Sequence, residues 1–173
     1  MTWTFDPLET INGALNIRKL GAVCKTYYRN LYGELHDSLN RGIPTDRFMV
    51  DWWLGTGWVE THADKSFMRL SLGDLENSGM LFLNRINMTQ GYPQPVEVDH
   101  GDVIKNAPPY LVINVPRNYQ RVKRLNQQAA IDWRHHTREL FESAFSANYS
   151  AVDLLASEAV CHYVLQREWN RKQ

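Results

Sequence analysis

The stretch from Thr2 to Gly21, TWTFDPLETINGALNIRKLG, decides which fold the sequence predicts. Its first residues, Trp3-Thr4-Phe5, alternate large apolar with small polar side chains, which is typical of a strand that enters a core. Asp6-Pro7 ends that strand and offers a helix N-cap followed by proline at the first helical position. We therefore expect an interior strand that leads directly into a helix.

The predicted helix is amphipathic and well capped. Glu9 lies where a capping box places an acid, and Gly21 supplies the left-handed residue that ends a helix. Four apolar residues recur at helical spacing and predict the buried stripe: Leu8, Ile11, Leu15 and Leu20.

Composition describes a globular chain of one domain, residues 1–173. Nineteen basic and nineteen acidic residues give zero formal charge, so no global field draws the protein to nucleic acid or to an anionic membrane. Cys24 and Cys161 fit no CxxC pattern, which favours buried, reduced thiols. The sequence has neither a signal-peptide layout nor an apolar run of ~20 residues. We predict a cytoplasmic protein.

The rest of the chain predicts a mostly antiparallel sheet with two main helices, an α+β or mixed α/β fold. A strand at 22–28 is expected to return beside the first, and Tyr110–Val115, bounded by prolines, is the best candidate for a central strand. A long amphipathic helix follows Asn118 and precedes a terminal hairpin. The order of elements leads us to expect that each half repeats a similar motif. Further strands are predicted at 47–54, 80–86 and 96–98.

Several of these stretches resemble one protein family. Trp3 to Leu8 and Asn12 to Ala22 resemble the fifth strand and fourth helix of the GNAT acyltransferase fold, and most closely a branch of predicted acetyltransferases linked to amino-acid N-acylation. Further segments that resemble this branch are Tyr32-Gly33, 42–50 (GIPTDRFMV), 111–116 (LVINVP), 132–141 (DWRHHTRELF), 149–155 and 163–165.

The resemblance implies an acyl-CoA-dependent N-acyltransferase that moves an acetyl or succinyl group to an amino acid or small amine. The family's pyrophosphate loop, Gln/Arg-x-x-Gly-x-Gly/Ala before a helix, does not occur in the sequence. We therefore expect the C-terminal portion of such a fold, with an N-terminal half missing or encoded elsewhere, or with a homodimer covering the first strand. The alternative is a non-catalytic binding module derived from the same fold.

The resemblance also implies cofactor contacts. Asn12 and Asn16, spaced i and i+4, are either cofactor contacts or helix amides that face solvent. The family's usual acid, a tyrosine, is replaced by Ile17, so that proton delivery falls to Tyr27, to Tyr28, to a water molecule or to no group at all. The alternative role of either tyrosine is packing. The residues expected to form one wall of the pantetheine slot are Trp3, Thr4, Phe5 and Asp6.

Arginines are the candidates for binding the substrate's carboxylate or phosphate. Arg134 and Arg138, spaced i and i+4, either hold such a group or pair with acids of their own solvated face, namely Asp132, Glu139 and Glu142. Arg47, with Trp52 nearby on the same predicted strand, is a second candidate substrate site. No motif has the spacing of a metal site, so we predict none.

Overall fold

The computed structural model describes residues 1–33, 39–64 and 69–170. Its strands are β1 Thr2–Phe5, β2 Val23–Tyr28, β3 Arg47–Asp51, β4 Leu81–Phe82, β5 Arg85–Thr89, β6 Tyr92–Val96, β7 Tyr110–Pro116, β8 Tyr149–Ala156 and β9 Val160–Arg167. Its helices are α1 Thr10–Gly13, a π-helix Ala14–Lys19, α2 Gly57–Ala63, α3 Leu72–Asn77, α4 His100–Lys105, α5 Tyr119–Leu125 and α6 Gln127–Ser146.

The described strands form a seven-stranded sheet in the order β1-β3-β2-β8-β9-β7-β4 and a separate β5-β6 hairpin. Every pairing in the large sheet is antiparallel except that of β4 with β7. The predicted α+β class with a mostly antiparallel sheet is therefore confirmed. No helix in the described ranges has both the length and the apolar character needed to cross a membrane.

The two halves of the sheet repeat one topology. Each half has the element order strand, helical segment, strand, strand. In the first half β1 to β3 have the spatial order β1-β3-β2, and in the second half β7 to β9 have the order β7-β9-β8. The halves meet at β2 and β8, whose one registered pair is Cys24 with Ala151. Each strand has a bulge immediately after that pair, between Cys24 and Thr26 and between Ala151 and Asp153. The predicted repeat is thus present in the topology.

Strand β1 lies at the edge of the sheet and not in its interior. It pairs with β3, which lies between β1 and β2, so the prediction that the second strand returns beside the first is wrong. Phe5 is buried, whereas Thr2 is exposed. The partner strand expected on the outer side of β1 stays a prediction.

The first helix also differs from its prediction. It begins at Thr10, and Glu9, its N-cap residue, makes no side-chain capping bond. The chain then widens into a π-helix, which turns by less per residue than an α-helix and so rotates the predicted stripe away from the core. Leu15 is accordingly 47% exposed, while Ile17 is buried. Ile11, which lies in α1 before the π-helix, is 85% exposed. Gly21 ends the segment with φ +70°, as predicted.

Both faces of the sheet carry a core. On one face α6 buries Trp133, Leu140 and Phe141 against side chains such as Phe48 and Tyr163. A smaller cluster that includes Leu75 of α3 covers the other face.

Several predicted strands have different bounds or positions. The strand at 47–54 ends at Asp51, so Trp52 follows it. The segment 80–86 is divided between β4 and β5, and the expected strand at 96–98 is instead β6, which ends at Val96. β7 is buried along almost its whole length, as predicted for a central strand, but it is next to last in the sheet. The long helix and the terminal hairpin are confirmed as α6 and β8-β9.

Candidate functional site

The candidate site is an open cleft of about 940 Å³ between the two halves. One wall is the start of the first helical segment, including Leu8 and Ile11, and the opposite wall is the start of α5. The turn of the β8-β9 hairpin and the β5-β6 hairpin, with Met88 and Tyr92, close its ends.

Asparagine caps explain why the chain turns at this point. After β7 ends at Pro116, the Asn118 side chain accepts a hydrogen bond from the Arg121 N–H at 2.9 Å and starts α5. Asn126 separates α5 from α6, caps α6 by accepting from the Ala129 N–H, and donates to the Tyr92 hydroxyl at 3.0 Å. The caps therefore orient α5 and tie β6 to the helix pair.

Contacts across the cleft hold its two walls together. Thr10 Oγ1 donates to the backbone oxygen of Arg117 at 2.7 Å, and Gln120 Nε2 donates to Glu9 Oε1 at 2.5 Å. Lys123, only 7% exposed, places its Nζ 3.7 Å from the same Glu9 oxygen. Burial lowers the pKa of Lys123, and the neighbouring Glu9 and Asp6 carboxylates counteract part of that shift.

Two arginines supply positive charge to the cleft. Arg121 is exposed and lines it, and its guanidinium has no hydrogen bond or ion pair within the described residues. Arg117 also lines the cleft and donates one Nη1 bond, at 2.8 Å, to the Ser157 backbone oxygen. Glu158, which follows Ser157 in the hairpin turn, also lines the cleft. The cleft thus offers cationic donors for an anionic group and a carboxylate for an ammonium group.

Cys161 lines the cleft as well, but its chemistry is that of a buried side chain. Burial raises the pKa of its thiol, so the thiol is protonated at neutral pH. A protonated thiol is a poor nucleophile, and Cys161 serves here as apolar lining.

The structure does not bring the predicted cofactor residues to this cleft. Trp3, Thr4 and Phe5 lie on the edge strand, and Asn12 is exposed while Asn16 is 7% exposed, so the two asparagines do not share a face. Their predicted common face assumed α-helical spacing, which the π-helix does not keep. The predicted cofactor contacts of all these residues stay predictions.

Asp6 and the predicted substrate arginines form a buried network within the chain. Arg134 is 1% exposed, and its two Nη atoms donate to Asp6 at 2.8 and 2.6 Å. Arg138 binds Asp46 through Nε and Nη2, with both distances 2.8 Å. Neither arginine pairs with the acids of its own helix that were expected as the alternative, because the actual partners lie on the sheet side of α6.

The remaining predicted residues contact this network or lie near it. Arg47 lies 3.4 Å from an Asp6 oxygen and over the Tyr32 ring, and Trp52 Nε1 donates to the Leu20 oxygen at 2.9 Å. Tyr27 donates to Asp46 at 2.8 Å, and burial followed by that carboxylate raises the pKa of its phenol. Tyr28 is exposed and donates to the Met49 sulfur. Neither tyrosine lines the cleft.

One feature of the sequence indicates the cleft, although it is not among the segments that resemble the GNAT family. The basic run from Arg117 to Arg124 is visible in the sequence, but the placement of Arg117 and Arg121 in one cleft with Glu9 and Glu158 depends on the fold. Within the described ranges no three His, Cys, Asp or Glu side chains group as metal ligands do. Comparisons with protein-family models, with curated proteins and with solved structures give no match to this chain.

Proposed function

We propose that this chain belongs to an acyl-CoA-dependent N-acyltransferase related to the GNAT fold, and that the cleft binds the anionic acyl donor and its amine acceptor. The observation that supports the proposal is the set of charged side chains that line the cleft, with Arg117 and Arg121 around the start of α5 and Glu158 in the hairpin turn that Arg117 contacts. An acyl-CoA carries phosphates that guanidinium groups bind, and an amino acid or small amine carries an ammonium group that a carboxylate binds.

The size and lining of the cleft agree with such ligands. A volume of about 940 Å³ is at the upper end of the range for small-molecule sites. Leu8, Ile11 and Met88 provide apolar surface for the thioester end of a donor. Reduced, buried Cys24 and Cys161 suit the cytoplasm, where acyl-CoA would be met.

Catalysis in this proposal depends on positioning. Attack of a bound amine on a bound thioester needs no covalent enzyme intermediate, so holding the two reactants together supplies most of the acceleration. The chain as given lacks the family's pyrophosphate loop, and we therefore expect binding with negligible turnover by the purified protein.

A second candidate is a non-catalytic module that binds the same class of ligand. It is favoured by the protonated Cys161 thiol and by the position of Tyr27 and Tyr28 outside the cleft, since neither a nucleophile nor the predicted acid faces the ligand there. Turnover separates the candidates when the protein is supplied with an N-terminal GNAT half: release of free thiol from acyl-CoA favours the enzyme.

Thermal-shift and calorimetric titrations with acetyl-CoA and succinyl-CoA test the binding step. A ligand that binds only the folded state raises the melting temperature. Arg121→Glu is expected to weaken binding about 10- to 100-fold, since one charge-assisted hydrogen bond contributes about 1.5–3 kcal/mol. Arg124→Glu is the matched control, because Arg124 is exposed on the same helix but does not line the cleft. Equal affinity in the two variants, or no binding at all, would contradict the proposal.

A further inference from the structure

A chain of hydrogen-bonded polar side chains joins the strands of the second half, on the face of the sheet opposite to that of Cys161. Ser157 Oγ lies 2.7 Å from His162 Nε2, and His162 Nδ1 lies 2.6 Å from Asn114 Oδ1. Ser157 begins the turn of the β8-β9 hairpin, His162 is on β9, and Asn114 faces it from β7. His162 and Asn114 are 7% and 6% exposed, whereas Ser157 is half-buried.

The neighbouring hydrogen bonds determine which atom of each group donates. Asn114 Nδ2 donates to the Asn84 backbone oxygen at 2.9 Å, so Asn114 Oδ1 is the atom turned to the imidazole. That oxygen accepts only, and His162 Nδ1 must therefore carry the proton of the shared bond. In the neutral ring Nε2 is then the acceptor, and it receives the Ser157 hydroxyl.

Asn84 holds Asn114 in place from a second direction. Its side-chain oxygen accepts from the Asn114 N–H at 2.8 Å, and its Nδ2 donates to the Asn114 backbone oxygen at 3.0 Å. Asn84 is itself fully buried. Three hydrogen bonds therefore join Asn114 to Asn84, two through the Asn114 backbone and one from the side-chain amide that orients the imidazole.

We propose that Ser157, His162 and Asn114 form a nucleophilic relay in which Ser157 accepts an acyl group from a small activated carboxylic ester or thioester. A hydroxyl bonded to an imidazole, which is in turn oriented by a third polar group, is the arrangement that activates serine nucleophiles. Burial lowers the pKa of His162, so the imidazole is neutral and able to take a proton at neutral pH.

The turn also offers donors for the oxyanion. The backbone N–H groups of Glu158 and Ala159 have no hydrogen-bond acceptor among the described residues. The N–H of the residue that follows a nucleophilic serine serves in this way in other acyl-transfer sites. Phe82, 37% exposed, places its ring 6.3 Å from the imidazole and gives apolar surface for a short acyl chain.

Acyl transfer to Ser157 and hydrolysis of the resulting ester are two successive steps. Ser157 Oγ attacks the acyl carbon while His162 Nε2 takes the hydroxyl proton, and the bond to the alcohol or thiol breaks as that proton passes to the leaving group. An acyl-serine ester remains. Water then attacks the ester by the same route, and a carboxylic acid is released with Ser157 restored. The relay needs no ligand in the cleft to act.

The test combines p-nitrophenyl acetate hydrolysis with labelling by a fluorophosphonate and mapping of the modified peptide by mass spectrometry. We expect a single adduct on Ser157, a burst of p-nitrophenol equal to the protein concentration, and loss of both in Ser157→Ala. Ser146→Ala is the matched control, because Ser146 is an exposed serine at the end of α6. His162→Gln should lower the acylation rate about 100-fold or more, the contribution of a general base.

Three results would overturn the relay: no adduct, an adduct on another residue, or an adduct on Ser157 that forms equally fast in a folded His162→Gln variant. Ser157→Ala removes a single oxygen from a half-buried turn residue, so it decides the question even if His162→Gln does not fold. If Ser157 and His162 had only a structural role, neither the adduct on Ser157 nor the pH dependence of its formation would be expected. The acylation rate should fall with acid along a midpoint below the usual histidine range.

Discussion

Replacing Asp6 by Asn tests how strongly the buried ion pair with Arg134 stabilises the fold. Both Nη atoms of Arg134 donate to Asp6, and the arginine side chain is 1% exposed. Burial by itself lowers the pKa of Arg134, and the Asp6 charge more than offsets that shift. Because the ordinary pKa of arginine lies far above neutral, the guanidinium stays charged after the substitution. Asp6→Asn then leaves a buried cation without its anion.

Removing one partner of a buried pair destabilises a protein by about 3–5 kcal/mol. With a urea dependence of about 2 kcal/mol per molar, the unfolding midpoint should fall by about 1.5 M or more. Arg134→Met should be milder, because Asp6 keeps the Leu8 N–H at 2.9 Å and Arg47 at 3.4 Å. The double variant should be more stable than the sum of the two single effects implies.

Urea unfolding followed by circular dichroism measures these differences. Glu142→Gln is the control, since Glu142 pairs with Arg29, whose side chain is 62% exposed, and its midpoint should stay close to that of the parent. An Asp6→Asn midpoint that also stays close to the parent, or strictly additive single effects, would refute the reasoning.

Three further predictions concern other parts of the molecule. Gly21→Ala should destabilise the protein more than Gly55→Ala in urea melts. The two glycines have φ of +70° and +73°, but a Cβ at Gly21 would lie 2.8 Å from His62 Cγ, while a Cβ at Gly55 would meet open space. Equal losses of stability would contradict this prediction. The free energy of unfolding should fall from pH 7 to pH 5, because burial lowers the folded-state pKa of His62 and His162. Below the ordinary histidine pKa of about 6.5 the unfolded chain therefore binds protons before the folded chain does. His62→Gln should flatten the pH profile of stability, and urea midpoints that do not change with pH would contradict the prediction. Cys24 and Cys161 should react with a thiol reagent at pH 8 only after unfolding, because burial raises both thiol pKa values; rapid reaction of the native protein would show exposed thiols.

The elements that short sequence patterns specify are the predictable part of this fold. The terminal hairpin and α6 follow from alternation and helical spacing within short windows, and both are present. The prediction that Leu15 is buried is wrong, because it assumed α-helical geometry and no pattern in residues 10–19 indicates a π-helix. The spacing of Arg134 correctly shows its place on α6, yet its partner Asp6 is 128 positions away, beyond any pattern in the helix.

The candidate sites could not be predicted from the sequence, because their residues are far apart in the chain. Arg121 and Glu158 face one cleft only because α5 and the second hairpin are brought together by the sheet. Ser157 and His162 are five positions apart and could suggest a pair, but Asn114 reaches them through the pairing of β7 with β9. Long-range register, which a single sequence does not display, creates each of these groupings.

The repeat of the two halves has a consequence for synthesis of the chain. The π-helix of the first half packs on β8, and α6 of the second half packs on β2, so each half covers the other's strands and not only its own. The ion pair from Arg18 to Asp153 joins positions 135 residues apart across this arrangement. A ribosome that has released only the first half therefore holds a segment with an uncovered apolar surface. That surface stays exposed to proteases and to aggregation until the strands of the second half have been synthesised.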